Sequence, residues 1–326
     1  MRTPFTGSMM EDVLEIIDSS GDHMASSSRW AEISEDIAQV ADSVGQSVVA
    51  LQPKQAHAAS GLIWQQGFIV TANHSTPGDE LSVLLPGGKS AVAHERGRDP
   101  STDLAIFSIE NVEGAAVARG DAGQLRVGHL VLALARTRRG NLTATSGIIS
   151  GLMETWHTWQ GGQIDRFVRP DLILYRGYSG GPLVNTKGEV VGINTTGLRR
   201  GTPITIPTST VSRVVDELLA KGHVERPYLG VALQPVALPE DMRTKLNIGS
   251  RYGLLLVHVE SNGPAATAGL MLGDIVVEVG GKSLPPTHDL RTVLGSERVG
   301  EQVTIGIVRS GERKETPVTL GDRFGR

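Results

Sequence analysis

The sequence contains no cysteine, which excludes disulfide bonds, thiolate catalysis and zinc sites built from cysteine. Aromatic residues are also scarce, at 4% of the chain, whereas glycine occurs 40 times in 326 residues. Glycine suits tight turns, and a chain poor in aromatic residues must build its core from aliphatic side chains. The composition therefore favours short aliphatic strands joined by turns.

Long apolar runs and an excess of positive charge are absent as well. The best candidates for a long apolar run, His129–Ala135 and Leu254–Val259, have the length of a strand and fall well short of the ~18 residues of a membrane span. Met1–Asp22 carries acidic residues and no apolar core, so it predicts no secretory signal peptide. The formal net charge of −4 gives no reason to expect nucleic acid or an anionic membrane as a partner.

Hydrophobic spacing divides the chain into an all-β part and a smaller α+β part. Apolar residues in Arg29–Val44 follow the spacing of an amphipathic helix. From Ser47 to about Thr210, short strands are separated by turns, which predicts an all-β barrel or sandwich. Thr208–Lys221 predicts a helix with one apolar face, and it is followed by strands that alternate with short helical segments.

We expect three segments from this pattern. Residues 1–28 form an N-terminal extension that is predicted to be disordered, residues 29–221 form the all-β domain, and residues 222–326 form the α+β domain. The second domain has an ordinary domain size. Its short helices are predicted at Ala265–Ala268 and His288–Leu294.

The strongest local motif is Gly177–Pro182 (GYSGGP), in which glycines surround Ser179. Taken alone, it fits a glycine-rich turn with an incidental serine as well as the G-x-S-x-G nucleophile elbow of α/β-hydrolases. That elbow needs a helix directly after the serine, but the residues up to Asn194 predict strand, turn and strand. It also needs its Asp and His after the serine, whereas the well-placed candidates precede Ser179. The elbow is therefore rejected.

Those candidates are His74 and Asp103. His74 comes shortly after the apolar strand Ile69–Ala72, and Asp103 directly precedes the aliphatic strand Leu104–Ile109, so each lies where a strand meets a loop. The order His, Asp, Ser is that of two-barrel serine proteases. Asp171 is an alternative to Asp103, although we favour a loop-anchoring role for it. The other histidines have no comparable sequence context.

Taken together, the motifs resemble the HtrA/Deg family of trypsin-like serine proteases, which carry a PDZ domain after the protease domain. The resemblance implies an all-β double β-barrel, trypsin-like protease domain followed by a small α+β PDZ domain. The motifs occur in the family's order along most of the chain. The matching segments are Thr71–His74, Asp99–Ala105, Leu125–Ala133, Thr145–Ser150, Gly177–Val184, Glu189–Thr195, Tyr228–Val231 and Gly263–Asp274.

The resemblance also implies catalytic roles. Ser179 is the nucleophile, His74 the general base and acid, and Asp103 the residue that orients the imidazole. The backbone N–H groups of Gly177 and Ser179 form the oxyanion hole. Two loops depart from the family pattern, Tyr175–Tyr178 before the serine and Arg136–Gly140 after a strand, and they put regulation in doubt more than chemistry. Neither a metal nor a cofactor is expected.

The preference for the residue before the cut is predicted from a specificity pocket. In two-barrel proteases the residue six positions before the serine largely sets the base of this pocket, and here it is Ile173. The opposite wall is expected from Ile193, Asn194, Thr195 and Thr196. An apolar base and β-branched walls predict cleavage after small aliphatic residues such as Val, Ala or Ile.

In the second domain, the segment formed by Tyr228, Leu229, Gly230 and Val231 has two interpretations. It is either an ordinary strand start or the loop whose amides receive the C-terminal carboxylate of a peptide, and we favour the second. Leu290 and Leu294 are expected to line the pocket for the last side chain of that peptide.

The predicted function is a serine endopeptidase that cleaves unfolded or damaged proteins and binds peptide C-termini at its PDZ domain. The alternative is a protease-fold chaperone or adaptor with weak or no proteolysis; a non-enzymatic PDZ scaffold is a third class. The family implies a homotrimer or larger assembly, with contacts near Trp30. It also implies a periplasmic or extracytoplasmic location, whereas the visible sequence shows no export signal and, as written, reads as cytoplasmic, so the compartment stays open.

Overall fold

The computed structural model describes residues 11–54, 57–110, 117–199, 202–284, 294 and 299–323, with side chains from residue 28 onward. An N-terminal helix, α1, spans Glu11–Gly45. Its first half differs from the disorder predicted for residues 1–28, since residues 11–28 are helical. Strong helix formers such as Glu11, Leu14 and Glu15 give a local reason for this difference.

The first β-barrel is closed and contains six antiparallel strands, in the order β1-β2-β3-β6-β5-β4. The side chains that point into this barrel are aliphatic apart from Phe107, and they include Leu51, Ile63 and Ile69. Its strands are β1 Val48–Gln52, β2 Ala59–Gln65, β3 Phe68–Ala72, β4 Glu80–Leu84, β5 Ser90–Asp99 and β6 Leu104–Ile109.

The second β-barrel is also closed, with the strand order β11-β14-β13-β12-β7-β8. A two-stranded hairpin made of β9 and β10 lies between β8 and β11 in the sequence. The strands are β7 Leu130–Arg136, β8 Leu142–Met153, β9 Trp156–His157, β10 Gln163–Ile164, β11 Phe167–Asp171, β12 Pro182–Asn185, β13 Val190–Thr195 and β14 Ile204–Pro207.

The two barrels pack against each other through the outer faces of their strands. In β6, Ala105 and Phe107 point into the first barrel, whereas Leu104 and Ile106 join a second cluster between the barrels. This cluster also contains Ile193 of β13, and helix α2 (Thr208–Lys221) covers it with its apolar face. Because both faces of these strands are buried, they are continuous aliphatic runs in the sequence. The catalytic candidates lie at one end of this interface.

A buried arginine ties the barrels to the end of α1. Arg136 ends β7, and its guanidinium donates hydrogen bonds of 2.6 Å each to the carbonyl oxygens of Gly45, Val48 and Gly140. Burial lowers the pKa of Arg136 from its usual value, but an arginine remains a cation in proteins. In the loop Arg136–Gly140, which departs from the family pattern, Arg136 therefore has a structural role.

The C-terminal domain is a twisted sheet with short helices, as expected for a PDZ domain. Its main sheet has the order β16-β17-β18-β20-β21, with β19 added to β18, and β15 pairs separately with β22. The elements are β15 Pro227–Tyr228, β16 Val231–Ala237, α3 Glu240–Leu246, β17 Tyr252–Val259, α4 Pro264–Thr267, β18 Ile275–Val279, β19 Lys282–Ser283, β20 Gln302–Arg309, β21 Glu312–Thr319 and β22 Gly321–Asp322. Of the predicted helix His288–Leu294, only Leu294 lies within the described residues.

A buried ion pair fixes the loop before β18. Arg309 donates to both carboxylate oxygens of Asp274, at 2.7 Å each, and the N–H of Met271 donates to the same side chain. Burial raises the pKa of Asp274, but these hydrogen bonds outweigh it, so the pKa lies below its usual value. The pair therefore keeps its charge at neutral pH.

Polar contacts connect the two domains through the segment after α2. Arg226 donates at 2.7 Å to the carboxylate of Asp99 in the first barrel, and its own N–H donates to Asp322 at 3.1 Å. His223 also contacts Asp322, with Nε2 and Oδ2 2.6 Å apart. Within the described residues, no helix is long and apolar enough to cross a membrane.

Candidate active site

Strand pairing in the first barrel brings His74 and Asp103 together. β3 and β6 are antiparallel neighbours, and Ala72 at the end of β3 lies opposite Leu104 at the start of β6. The residues just beyond this pair, Asn73 and Asp103, therefore meet, and the N–H of Asn73 donates to the carbonyl of Asp103 at 3.0 Å. His74 comes one residue later, over the aspartate side chain.

The carboxylate of Asp103 holds the imidazole from two directions. Nδ1 of His74 lies 2.7 Å from Oδ2 of Asp103, and the backbone N–H of His74 donates to Oδ1 at 2.8 Å. Asp103 is only 4% exposed and has a φ of +60°, a left-handed conformation that aspartate tolerates better than most residues. This contact favours the tautomer with the proton on Nδ1, which leaves Nε2 free to accept a proton.

A second aspartate shapes the loop that carries Asp103. Oδ1 of Asp99 accepts hydrogen bonds from the N–H and hydroxyl of Ser101, and its Oδ2 accepts one from Thr102 at 2.7 Å. Asp99 is also the partner of Arg226, so the linker between the domains is anchored on the loop that presents Asp103. Asp171, the alternative considered for Asp103, is exposed at the end of β11 and makes no contact with His74 within the described part of the chain.

Ser179 lies in the turn before β12, and the first barrel holds this turn in place. Ser60 of β2 donates its hydroxyl to the carbonyl of Gly177 at 2.7 Å, and its N–H donates to the carbonyl of Ser179 at 3.2 Å. Gly180 has a φ of +85°, and a Cβ on it would lie 2.2 Å from the carbonyl oxygen of Ser60, so only glycine fits there. The sequence alone gives no hint of the role of Ser60.

The end of β13 supplies a further group to the cluster. The hydroxyl of Thr195 donates a hydrogen bond to Oδ2 of Asp103, the oxygen that also contacts His74. Gly197 follows closely, and a Cβ on it would lie 2.6 Å from Nδ1 of His74. The second barrel thus closes over the histidine and the aspartate, which makes glycine necessary at position 197.

The nucleophile and the base are not hydrogen-bonded to each other in this structure. The hydroxyl of Ser75 lies 2.9 Å from Nε2 of His74, and Oγ of Ser179 lies 3.4 Å from Oγ1 of Thr196. With Nδ1 facing Asp103, Nε2 is the acceptor of the Ser75 hydroxyl. The base is thus occupied by the residue next to it in sequence.

The turn that holds Ser179 contains two backbone donors for which the described residues provide no acceptor. The N–H groups of Tyr178, Gly180 and Gly181 all have carbonyl partners. Within the described residues, the N–H groups of Gly177 and Ser179 have none. These are the two donors predicted for the oxyanion hole, and the geometry leaves both available.

The predicted base of the specificity pocket, Ile173, lies on the surface of the protein. It is 61% exposed, while Leu172 and Leu174 on either side pack on the second barrel. The loop Tyr175–Tyr178 that follows forms its own turn, with the N–H of Tyr178 donating to the carbonyl of Tyr175.

The predicted opposite wall is also largely engaged elsewhere. Ile193 packs between the barrels, the side-chain oxygen of Asn194 accepts a hydrogen bond from Thr205 at 2.9 Å, and Thr195 bonds to Asp103. Only Thr196 faces Ser179. Side chains alternate along β13, so a run of four residues cannot all face one slot.

The predicted carboxylate loop lies at the edge of the PDZ sheet. Leu229 is buried in the PDZ core, Tyr228 pairs with β22, and Gly230 has a φ of +78°. In the part of the chain that the structure describes, the N–H groups of Leu229 and Gly230 have no acceptor.

Val231 begins β16, an edge strand that pairs with β17 on one side only in the described sheet. Leu294 is buried in the PDZ core, and Leu290 lies outside the described residues.

Two closed six-stranded barrels, with a histidine, an aspartate and a serine where they meet, define the trypsin-like serine protease fold. Comparisons with known proteins agree with this class. The family model "Trypsin-like peptidase domain" matches residues 59–193, and the family model "PDZ domain" matches residues 227–320.

The chain belongs to the HtrA family of serine proteases with a C-terminal PDZ domain. It is 36% identical over 282 residues to the serine protease Do-like HtrA of Lactobacillus helveticus, covering 80% of this chain and 68% of that protein. It is 34% identical to the probable periplasmic serine endoprotease DegP-like of Brucella suis, covering 79% of this chain. The chain spans about half the length of that relative, at 51%.

Solved structures of the same type are similar along the whole fold. The HtrA-type protease AlgW with decapeptide has a TM-score of 0.68 and 26% identity, and the match covers 89% of this chain and 99% of that one. The serine endoprotease from Yersinia pestis has a TM-score of 0.68 and 26% identity, with 87% and 97% covered.

The contact of Ser75 with the base generates a prediction. Replacing Ser75 by Ala removes the hydroxyl that competes for Nε2 of His74, so Ser179 should react faster with a fluorophosphonate probe. One neutral hydrogen bond corresponds to ~0.5–1.5 kcal/mol, so we expect a two- to tenfold increase in the labelling rate, roughly. Ser82→Ala, on an exposed position of β4, is the control and should leave the rate unchanged. Slower labelling of Ser75→Ala would show that Ser75 supports the base.

Proposed function

We propose that this protein is a serine endopeptidase in which Ser179 attacks the peptide carbonyl. The observation that carries the proposal is the cluster of His74, Asp103 and Ser179 between the barrels, next to two N–H groups that have no acceptor among the described residues. The first barrel supplies the base and the aspartate, and the second supplies the nucleophile. We assign a different role to each domain: residues 29–221 carry out the catalytic reaction, and residues 222–326 bind peptides.

The reaction begins when Nε2 of His74 takes the proton of the Ser179 hydroxyl as the oxygen adds to the carbonyl carbon. Asp103 stabilises the imidazolium that forms, and the N–H groups of Gly177 and Ser179 stabilise the oxyanion. His74 then gives its proton to the leaving amine, which leaves an acyl group on Ser179. A water molecule, deprotonated by the same nitrogen, releases the acid and restores the serine.

This sequence of steps requires a change in the contacts of the resting site. Nε2 must exchange the Ser75 hydroxyl for that of Ser179, and Ser179 must turn away from Thr196. The same contacts favour the second candidate function, a chaperone or adaptor of protease fold with weak or no proteolysis. The complete cluster around Asp103 favours the peptidase.

Unfolded or damaged polypeptides are the proposed substrates, because an extended chain brings a peptide bond to Ser179 more readily than a folded domain does. We also propose cleavage after small aliphatic residues. Supporting this preference, Leu172, Ile173 and Leu174 bring no charge to the segment before the serine.

The PDZ domain is proposed to bind the C-termini of peptides. The N–H groups of Leu229 and Gly230, which have no acceptor among the described residues, suit a carboxylate, and the edge of β16 suits an added strand. AlgW, whose structure is similar, was solved with a decapeptide and, in another structure, with a tripeptide.

Assembly into a homotrimer or a larger oligomer is proposed from helix α1. Its exposed apolar side chains Trp30, Ile33 and Ile37 follow one another at helical spacing, and Trp30 is 72% exposed. Such a stripe suits burial against another protomer. The Brucella relative is named periplasmic, so the cytoplasmic interpretation of the visible sequence has no support, and we propose an extracytoplasmic location.

Substitution of Ser179 by Ala tests the proposed activity. Turnover of casein should fall to a small residual, because the nucleophile is gone, while the melting temperature should stay nearly unchanged, because Ser179 makes only one long side-chain hydrogen bond. The wild-type protein and Ser108→Ala, whose hydroxyl bonds to a carbonyl in the first barrel, are controls with full turnover. Casein turnover by Ser179→Ala that equals the wild type would rule out the assignment, and a wild type without turnover would favour the chaperone.

Amidation of a peptide tests the proposed carboxylate loop. A fluorescent peptide ending in Val should bind with its free carboxylate and lose at least tenfold in affinity as an amide, since a charge-assisted hydrogen bond contributes ~1.5–3 kcal/mol. Anisotropy with the Ser179→Ala protein measures binding without cleavage. Equal dissociation constants for the acid and the amide would show that this segment is an ordinary strand start.

A further inference from the structure

A cavity of about 390 Å³ opens beside the second barrel. It lies between the β9–β10 hairpin region and the segment that follows β13. The lining residues are Met153, Trp156, Trp159, Phe167, Leu198 and Arg199. None of them comes from the segment before Ser179 or from the residues predicted to form the specificity pocket.

The cavity gathers aromatic side chains in a chain that has few of them. The rings of Trp156 and Phe167 pack edge to face, with centroids 5.6 Å apart and an angle of 76° between their planes. This arrangement leaves aromatic walls that can accept a further ring in the same geometry. Arg199 lies over Phe167 at 6.0 Å and places a positive charge at the rim.

Several of these apolar groups are placed in water. Trp159 is 71% exposed and Met153 is 56% exposed, although both belong to residue types that pack best when covered. The indole nitrogen of Trp156 is buried and has no acceptor among the described residues. An unpaired buried donor is unfavourable, and a carbonyl of a bound chain that reached it would relieve this.

Two residues that line the cavity follow the catalytic cluster directly in the chain. Gly197 touches the imidazole of His74, as its close approach shows, and Leu198 and Arg199 come directly after it. Two residues span at most ~7 Å. A polypeptide held with its scissile bond at Ser179 therefore passes close to the cavity.

We propose that this cavity binds a large aromatic side chain of the polypeptide substrate, within a few residues of the scissile bond. The proposal rests on the proposed peptidase function, since the substrate is what brings that side chain to the cavity. Aromatic walls, an open mouth and a flanking cation select Phe, Tyr or Trp, preferably with an acidic neighbour that pairs with Arg199. Cleavage would then depend on two apolar residues of the substrate: a small one directly before the scissile bond and an aromatic one a few residues away from it.

A series of labelled eight-residue peptides tests the proposal. Each has Val–Ala at its centre and alanine elsewhere, with one Phe moved through the other positions, and each ends in an amide so that the PDZ domain is not engaged. Anisotropy with the Ser179→Ala protein measures binding, and cleavage by the wild type measures kcat/KM. One Phe position should improve both by roughly tenfold over the all-alanine peptide, the discrimination typical of a hydrophobic pocket.

The Trp159→Ala substitution should reduce this gain to less than twofold, and Trp159→Phe should keep most of it. Leu272→Ala in the PDZ domain is the matched control, because Leu272 is 70% exposed and Trp159 71%; it should keep the full gain. A gain that survives Trp159→Ala, or no gain at any position, would overturn the proposal. So would a loss of oligomer mass in Trp159→Ala without a change in peptide preference, because the surface would then be an interface between copies.

The binding measurement distinguishes failure of this proposal from failure of the proposed peptidase activity. One outcome is that the affinity of the Ser179→Ala protein for the peptides depends on the Phe position while the wild type cleaves none of them and does not react with a fluorophosphonate. In that case the peptidase function fails and the aromatic site stands. If the wild type reacts and cleaves but shows no preference for Phe, the aromatic site fails while the peptidase function stands.

Discussion

The carboxylate of Asp103 is the group on which the rest of the site depends. It accepts hydrogen bonds from the backbone and the imidazole of His74 in the first barrel and from the hydroxyl of Thr195 in the second. These donors come from two separate sheets. The same interaction therefore orients the base and fixes how the barrels meet. Asp99 and Arg226 extend it to the linker before the PDZ domain.

Close backbone contacts complete this constraint. Ser60 of the first barrel binds two carbonyls of the turn that presents Ser179, and Gly197 of the second barrel lies against the imidazole. Each barrel thus holds the catalytic residue of the other. The side-chain pairing can still change. The catalytic reaction needs a hydrogen bond between Ser179 and His74, but Ser75 contacts Nε2 of His74 and Thr196 contacts the hydroxyl of Ser179. The backbone around the site is therefore in place, whereas the hydrogen bond that passes the proton from Ser179 to His74 still has to form.

Most of the fold was predictable because both barrels consist of aliphatic strands bounded by turn residues. His74 and Asp103 were predicted as site residues because each adjoins such a strand, and Ser179 because glycines surround it. The hydrogen bond of Thr195 to Asp103 and the contacts of Ser60 were not predicted, since they depend on how two sheets pack, which spacing in the chain does not encode. The 61% exposure of Ile173 was not predictable either, since it depends on how the loop before Ser179 folds onto the second barrel. The trypsin-like class and the family are confirmed by the comparisons.

The most direct test of this account is the activity of Asp103→Asn. Asparagine keeps the shape and tolerates the left-handed backbone at this position, but it lacks the charge and favours the other tautomer of His74. The account predicts that kcat/KM on a cleavable peptide falls by roughly 10⁴ while urea unfolding, followed by tryptophan fluorescence, shows a folded protein. A folded Asp103→Asn protein that keeps more than a tenth of the wild-type activity, roughly a loss below 1.4 kcal/mol in barrier height, would contradict it.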